Sequence, residues 1–154
     1  GYRDLCEALD MNIAGGEGEF TRWGFRDLIK GRCVDVLQPE VCGLGGITEY
    51  QKVLAMAHAH FVPVVNHVWG SAVAVGINLH LLAALPDLPG AAYPVQPMLE
   101  YDTTPNKFRE ELLENPLRIL EQVKENDGTV SLPQGPGLGV DPDLDFIKYY
   151  TVEA

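Results

Sequence analysis

Long apolar runs are missing from this sequence: no stretch approaches the roughly 18 continuous apolar residues that a membrane-spanning helix needs. No membrane partner is therefore expected. Clustered Lys and Arg are missing as well. With 11 basic against 22 acidic residues the formal net charge is −11. A phosphate backbone must be neutralised by grouped cations, so no nucleic-acid partner is expected either. Cysteine is scarce: Cys6, Cys33 and Cys42 are odd in number and lack Cys-x-x-Cys spacing. That supports neither a disulfide framework nor a zinc site, and points to small core or loop residues in a reducing cytoplasm. A dinucleotide-type glycine fingerprint is absent too. Gly43-Leu44-Gly45-Gly46 follows an apolar run but lacks the spacing that sets backbone N–H groups around a pyrophosphate. An open α/β domain binding a nucleotide or phosphate is thereby disfavoured. The opening residues, Gly1-Tyr2-Arg3-Asp4-Leu5, read as the middle of a helix rather than as a basic-then-apolar leader, so a truncated chain is expected.

What is present suffices for one globular core: 154 residues, 46% of them hydrophobic. Tyr2, Leu5, Cys6 and Leu9 recur at helical spacing and predict a helix over 2–10. Asn12-Ile13-Ala14 is a short apolar piece running into Gly15-Gly16-Glu17. A second helix is predicted from Thr21 to Gly31, with Phe25, Leu28 and Ile29 on one face and Gly31 as its stop. Val34-Asp35-Val36-Leu37 reads as the next strand. Thr48 with Gln51 forms a capping box for a helix that Val53, Leu54 and Ala57 carry to His60. Pro63-Val64-Val65-Asn66 is a third strand, followed by a long apolar helix from Ser71 to Leu85. The Pro and Gly cluster from Pro86 to Pro94 breaks the chain. Pro97-Met98-Leu99 reads as a fourth strand and Thr129-Val130-Ser131-Leu132 as another, with a short helix over Asp143–Tyr149.

Strand and helix alternate with connections of crossover length, which requires parallel strands wrapped by helices. An eight-fold barrel needs about 250 residues, and this chain supplies three units and part of a fourth. The expected fold class is therefore α/β, the C-terminal portion of a TIM-type barrel. Residues 1–126 would form the barrel part, and 127–154 a C-terminal strand and helix packing on it or on a capping region.

Glu17, Glu40, His67 and Glu100 each stand just after one of the four successive strands. In a parallel barrel all strand C-termini open on one face, where these side chains would converge. Each also has a plain reading. Glu17, beside Glu19, fits a solvated loop acid, and Glu40 fits the lead into a turn. His67 fits a buried ring bonded to backbone, and Glu100, near Asp102, fits either surface or site. His58, His60 and His80 are read as structural. Taken together, the four suit a carbon acid. Proton removal next to a carboxylate makes an enediolate, which a divalent cation and hydrogen-bond donors must neutralise. Glu17 would be the hard oxygen ligand for Mg²⁺ and His67 the base or acid. Glu40 would fix the tautomer of His67. Glu100, if protonated, would donate to the developing oxyanion.

Ala14-Gly15-Gly16-Glu17, Asp35-Val36-Leu37-Gln38-Pro39-Glu40, Gly45-Gly46-Ile47-Thr48-Glu49, His67-Val68-Trp69-Gly70, Met98-Leu99-Glu100-Tyr101-Asp102 and Gly135-Pro136-Gly137-Leu138-Gly139 occur in that order. The succession, over residues 12–142, resembles the mandelate racemase and muconate lactonising branch of the enolase superfamily. It looks closest to galactarolactone cycloisomerases and related acid-sugar dehydratases. The resemblance implies a capping domain ahead of a barrel whose sixth, seventh and eighth strands lie near Ile13, Val36 and Val65. It implies Glu17 as the third carboxylate ligand of Mg²⁺, Glu40 and His67 as an acid–base dyad, and Glu100 facing the substrate carboxylate. Trp69 and Gly70 would shape the pocket beside His67.

Two residues depart from that pattern. The dyad carboxylate is usually Asp and here is Glu40, longer by about 1.5 Å from ordinary bond lengths, so the His67 contact is open to being kept, bent or lost. The residue before the histidine is often Pro and here is Asn66. The family's other two metal carboxylates, its lysine motif and its capping domain have no counterpart in residues 1–16. One carboxylate does not hold Mg²⁺ firmly. The resemblance therefore implies a fragment of an enzyme acting on an acid sugar or its lactone, inactive and weakly metal-binding by itself. Unpaired strand edges and apolar helix faces predict association into a homo-oligomer. The alternative is a half-barrel that folds and associates without chemistry.

Overall fold

A computed structural model of the chain describes residues 1–87 and 96–152. Most of the Pro86–Pro94 breaker cluster therefore lies outside the described residues. Two compact units make up the chain: Gly1–Val68 with Leu85–Glu100, and Trp69–Ala84 with Tyr101–Ala154.

The first unit opens with α1 (Tyr2–Ala8). Strand β1 (Ala14–Gly15) follows, then α2 (Thr21–Lys30), then β2 (Val36–Leu37). The strands pair in parallel, with Ala14 opposite Val36 and Gly15 opposite Leu37. Helix α2 is the crossover that a parallel pair requires. It forms because Phe25, Leu28 and Ile29 share one face, all buried, and it ends at Gly31 with Lys30 in its last turn. A short helix, α3 (Val41–Leu44), precedes α4 (Ile47–Ala59). Helix α4 packs on α2 and buries Tyr50, Val53 and Ala57 at helical spacing. The chain then returns along Pro63–Val65. Leu37 N–H donates to Pro63 O at 2.9 Å, Val65 N–H donates to Leu37 O at 3.0 Å, and a parallel bridge joins Leu37 to Val64. Three neighbouring extended segments thus run parallel, joined by two helical crossovers. The core beneath them is Phe25, Leu37, Val53 and Ala57, all at 0% exposure.

The second unit is built on α5 (Ala72–Ala83), whose N-terminus is capped by Ser71 Oγ accepting from Ala74 N–H. This helix buries Ala72, Ala74, Val75, Gly76, Asn78, Leu79 and Leu82. Around it come α6 (Lys107–Glu110), which packs on α5, then α7 (Ile119–Glu125) and α8 (Leu144–Tyr150). An antiparallel bridge links Leu113 to Pro142. Gly139 closes the turn ahead of it at φ +65°. A Cβ there would lie 2.9 Å from the carbonyl carbons of Pro133 and Gln134, so only glycine fits.

Three expectations need correction. Pro97–Leu99 and Thr129–Leu132 are not strands, because β propensity asks only for extended backbone and supplies no partner edge. In the second of these, Thr129 N–H goes to Asn126 O and Ser131 N–H to the side chain of Gln122, which takes both donors out of any ladder. The capping box of Thr48 and Gln51 does not form either. Helix α4 is instead capped two residues earlier, by Gly46 at φ +84°, without a side-chain cap. The three cysteines are free thiols. No helix among the described residues is long and apolar enough to cross a membrane.

Candidate acid–base site

Within the first unit three extended segments deliver side chains to one place. Gly16 turns the chain out of β1 at φ +123°, where a Cβ would sit 2.9 Å from the Phe25 ring, and Glu17 follows at once. After β2 the chain stays extended. Leu37 and Pro39 are fully buried, and the residues between and after them, Gln38 and Glu40, take the opposite face by the two-residue alternation of a strand. Glu40 is also the N-cap of α3, its Oε1 accepting from Cys42 N–H at 3.0 Å. His67 ends the third segment, and its backbone N–H donates to Pro39 O at 3.2 Å. The positions of Glu40 and His67 are therefore tied through main chain.

The His67 ring stands among three carboxylates. Nδ1 is 3.1 Å from Glu40 Oε2, and Nε2 is 2.9 Å from Glu17 Oε2 and 3.9 Å from Glu100 Oε1. The side chains of His67 and Glu40 are 19% and 18% exposed, whereas that of Glu17 is 66% exposed. The Nδ1 side of the ring is enclosed and the Nε2 side is open. An ionised carboxylate only accepts, so both close contacts are satisfied together only by the imidazolium, with an N–H at each nitrogen. A neutral ring has one N–H and leaves one carboxylate facing a lone pair. Glu40, fixed at both oxygens, is the partner placed to keep an N–H at Nδ1, and Nε2, met by the largely exposed Glu17, is the atom on the accessible side of the ring.

Glu100 is reached from the other side, where Gln38 Nε2 donates to its Oε2 at 2.7 Å. Sequence reasoning passed over Gln38 because an amide does not titrate. The same alternation that picks out Glu40 in Gln38-Pro39-Glu40 would have found it. Trp69 and Gly70 belong to the second unit, where Trp69 is exposed and Gly70 directly precedes the Ser71 cap. The other histidines give ring N–H groups to backbone carbonyls: His58 to Asp87 at 2.9 Å, His60 to Met56 at 2.9 Å and His80 to Leu138 at 3.0 Å.

Neighbouring charges stiffen the frame. Arg22 donates to both oxygens of Glu49 at 2.7 and 2.9 Å, joining α2 to the first turn of α4. The Arg22 side chain and backbone N–H beside it hold the Glu49 carboxyl down at about 2. Tyr50 donates to Asn66 Oδ1 at 2.8 Å, and burial pushes its phenol up to about 12.

Mg²⁺ requires a near-octahedral shell of oxygens. Among the described residues no group of three or more His, Cys, Asp or Glu is placed to hold a metal ion. Glu17 is a single, largely exposed carboxylate engaged with His67. The donors among the described residues do not by themselves make a magnesium site.

Residues 1–146 match the family described as Enolase C-terminal domain-like. A D-galactarolactone cycloisomerase from Agrobacterium fabrum is 38% identical over 149 residues, which cover 97% of this chain and 38% of that protein. The crystal structure of a 3,6-anhydro-D-galactonate cycloisomerase from Zobellia galactanivorans superposes with a TM-score of 0.83 at 33% identity, over 99% of this chain and 39% of the other. An L-talarate dehydratase from a Polaromonas species, complexed with Mg and L-glucarate, gives a TM-score of 0.75 at 27% identity, over 99% of this chain and 36% of the other. The chain spans less than two fifths of the length of each.

Proposed function

Because the chain belongs to the Enolase C-terminal domain-like family, we propose that it carries the acid–base half of an enzyme that removes the proton next to the carboxylate of an acid sugar or its lactone. The observation that carries this reading is the His67 ring, held at Nδ1 by the enclosed Glu40 and met at Nε2 by the largely exposed Glu17. The acid-sugar cycloisomerase and dehydratase relatives support the substrate class.

In this reading Nε2 of His67 exchanges the proton with the substrate carbon, and Glu40 stabilises the imidazolium so formed. Glu17 has to leave Nε2 for a substrate to approach. Once away from Nε2, Glu17 would offer one hard oxygen to Mg²⁺, the metal with which the talarate dehydratase relative is complexed. Glu100 faces the substrate carboxylate. Loss of a β-oxygen from the enediolate gives dehydration or lactone opening. The barrel portion, its cytoplasmic setting and its assembly into a homo-oligomer belong to the same proposal. Exposed Tyr2 and Leu5 on α1, with Leu9 just past its end, support association.

The test joins this chain to the upstream half of a relative and follows α-proton exchange of galactarate or its lactone in D₂O by NMR. Exchange is expected from the joined protein and none from the chain alone. His67→Asn should slow it by about 10²–10⁴-fold, the range of a positioned acid–base group. Undiminished exchange in that variant would overturn the assignment.

A further inference from the structure

We infer that Gln38 is a positioning residue for Glu100, setting which carboxylate oxygen faces the His67 ring; this rests on the acid–base reading of the site. Gln38 Nε2 donates to Glu100 Oε2 at 2.7 Å, and the other oxygen, Oε1, is the one directed at His67 Nε2, 3.9 Å away. Glu100 follows a segment with no ladder partner: Gln96, Pro97 and Met98 are exposed and belong to no strand. No strand pairing therefore fixes the backbone just ahead of Glu100. The tie to Gln38 spans 62 positions of sequence and is anchored in the ladder, since Gln38 N–H donates to Gly15 O at 2.8 Å.

The geometry has a second consequence. Gln38 and Glu40 lie two residues apart on one face of one extended segment, with buried Leu37 and Pro39 on the other. One short stretch of main chain thus holds the carboxylate at Nδ1 of His67 directly and the one beyond Nε2 through an amide. An amide also suits either protonation state of its partner. Its N–H serves a carboxylate, and a half-turn of the amide offers its carbonyl to a neutral carboxyl group. Leu or Met at position 38 would fill the space and serve neither.

The experiment is NMR on the 154-residue chain with selectively ¹³C,¹⁵N-labelled Gln and Glu, which needs no turnover. In the unaltered chain one Gln38 side-chain amide proton should resonate away from the free-glutamine position, and Glu100→Ala should return it there. Gln38→Leu should collapse the Glu100 side-chain couplings to rotamer-averaged values while the Glu40 carboxyl resonance stays in place. Gln38→Asn, with its donor withdrawn by about 1.5 Å, should release Glu100 in the same way. Unchanged Glu100 couplings in folded Gln38→Leu would overturn the inference, as would a free-glutamine amide signal in the unaltered chain. The second measurement decides the matter even if the Gln38 variants fail to fold. Should the signature hold while the joined protein shows no proton exchange, the functional reading falls and the positioning role stands.

Discussion

In the first unit three carboxylates face a single imidazole, whereas in the second unit each buried charge has its own partners. Arg109, 5% exposed, donates to Asp102 at 2.9 Å and to the carbonyl oxygen of Thr104, and its guanidinium lies over the Tyr101 ring. Asp102 in turn accepts from the Thr104 N–H and hydroxyl. Those two donors first, and Arg109 after them, hold its carboxyl down at about 2. Both oxygens of Asp102 are spoken for, and no proton is in dispute. Around His67 two carboxylates lie within hydrogen-bond distance of ring nitrogens that carry only one N–H unless the ring is an imidazolium, so a change at one nitrogen alters what the other groups must do. Saturated pairing makes structure; shared demand for one donor makes a place where protons move.

The largest way to break this contrast is in the first unit's core. Phe25 is fully buried and lies against Gly16, the turn that launches Glu17. Phe25→Ala should cost about 3–5 kcal/mol, the range for emptying a buried aromatic site. Urea unfolding followed by Trp fluorescence measures it, and a loss below 1 kcal/mol would show that the site does not lean on this core. Gly16→Ala should cost about 1–3 kcal/mol, because φ +123° is open to glycine alone and the added methyl meets the Phe25 ring. Its sharper readout is the Glu17 contact at Nε2, visible as a shifted His67 ring resonance.

In the second unit the corresponding changes are smaller. Asp143 caps α8, its Oδ1 accepting from Asp145 N–H at 2.8 Å and Phe146 N–H at 3.0 Å. Asp143→Ala should cost about 1 kcal/mol and speed amide exchange over Leu144–Tyr150. The smallest effect is on acid stability, and it is common to both units. Glu49 in the first and Asp102 in the second are both depressed to about 2. A depressed carboxylate contributes in full above its unfolded value near 4 and loses that contribution as pH falls from about 4 to about 2. Circular dichroism should therefore hold steady down to about pH 4 and decline below it. A decline already complete at pH 5 would assign acid sensitivity to other groups.

Periodicity in the sequence made the long helices readable. Phe25, Leu28 and Ile29 mark α2, and Val53, Leu54 and Ala57 mark α4, where Val53 and Ala57 are buried together with Tyr50 one turn earlier. Helix α3 escaped notice. It has four residues, one of them Gly43, and its cap is the candidate catalytic Glu40. The strand ends were readable through position: Glu17, Glu40 and His67 follow apolar runs that do lie side by side. Thr129–Leu132 looked equally strand-like and has no partner, a fact about the rest of the fold that no local pattern contains. Gln38 is not legible from chemistry alone because an amide does not titrate, yet its side chain is the connector that reaches Glu100.

The hydrogen bond from Tyr50 to Asn66 has an implication for how such sequences vary. Asn66, at 0% exposure, occupies the place just before His67 where the family resemblance leads one to expect proline. A proline ring stiffens that point by covalent closure of φ. Here stiffness comes instead from a side-chain amide latched to a phenol on the facing helix, 16 positions earlier in sequence. The two solutions are exclusive alternatives with different upkeep. A chain with proline at position 66 has no use for the hydroxyl at position 50, and phenylalanine would serve there. A chain with asparagine needs both halves of the latch, so the two positions should change together across related sequences, tyrosine travelling with asparagine.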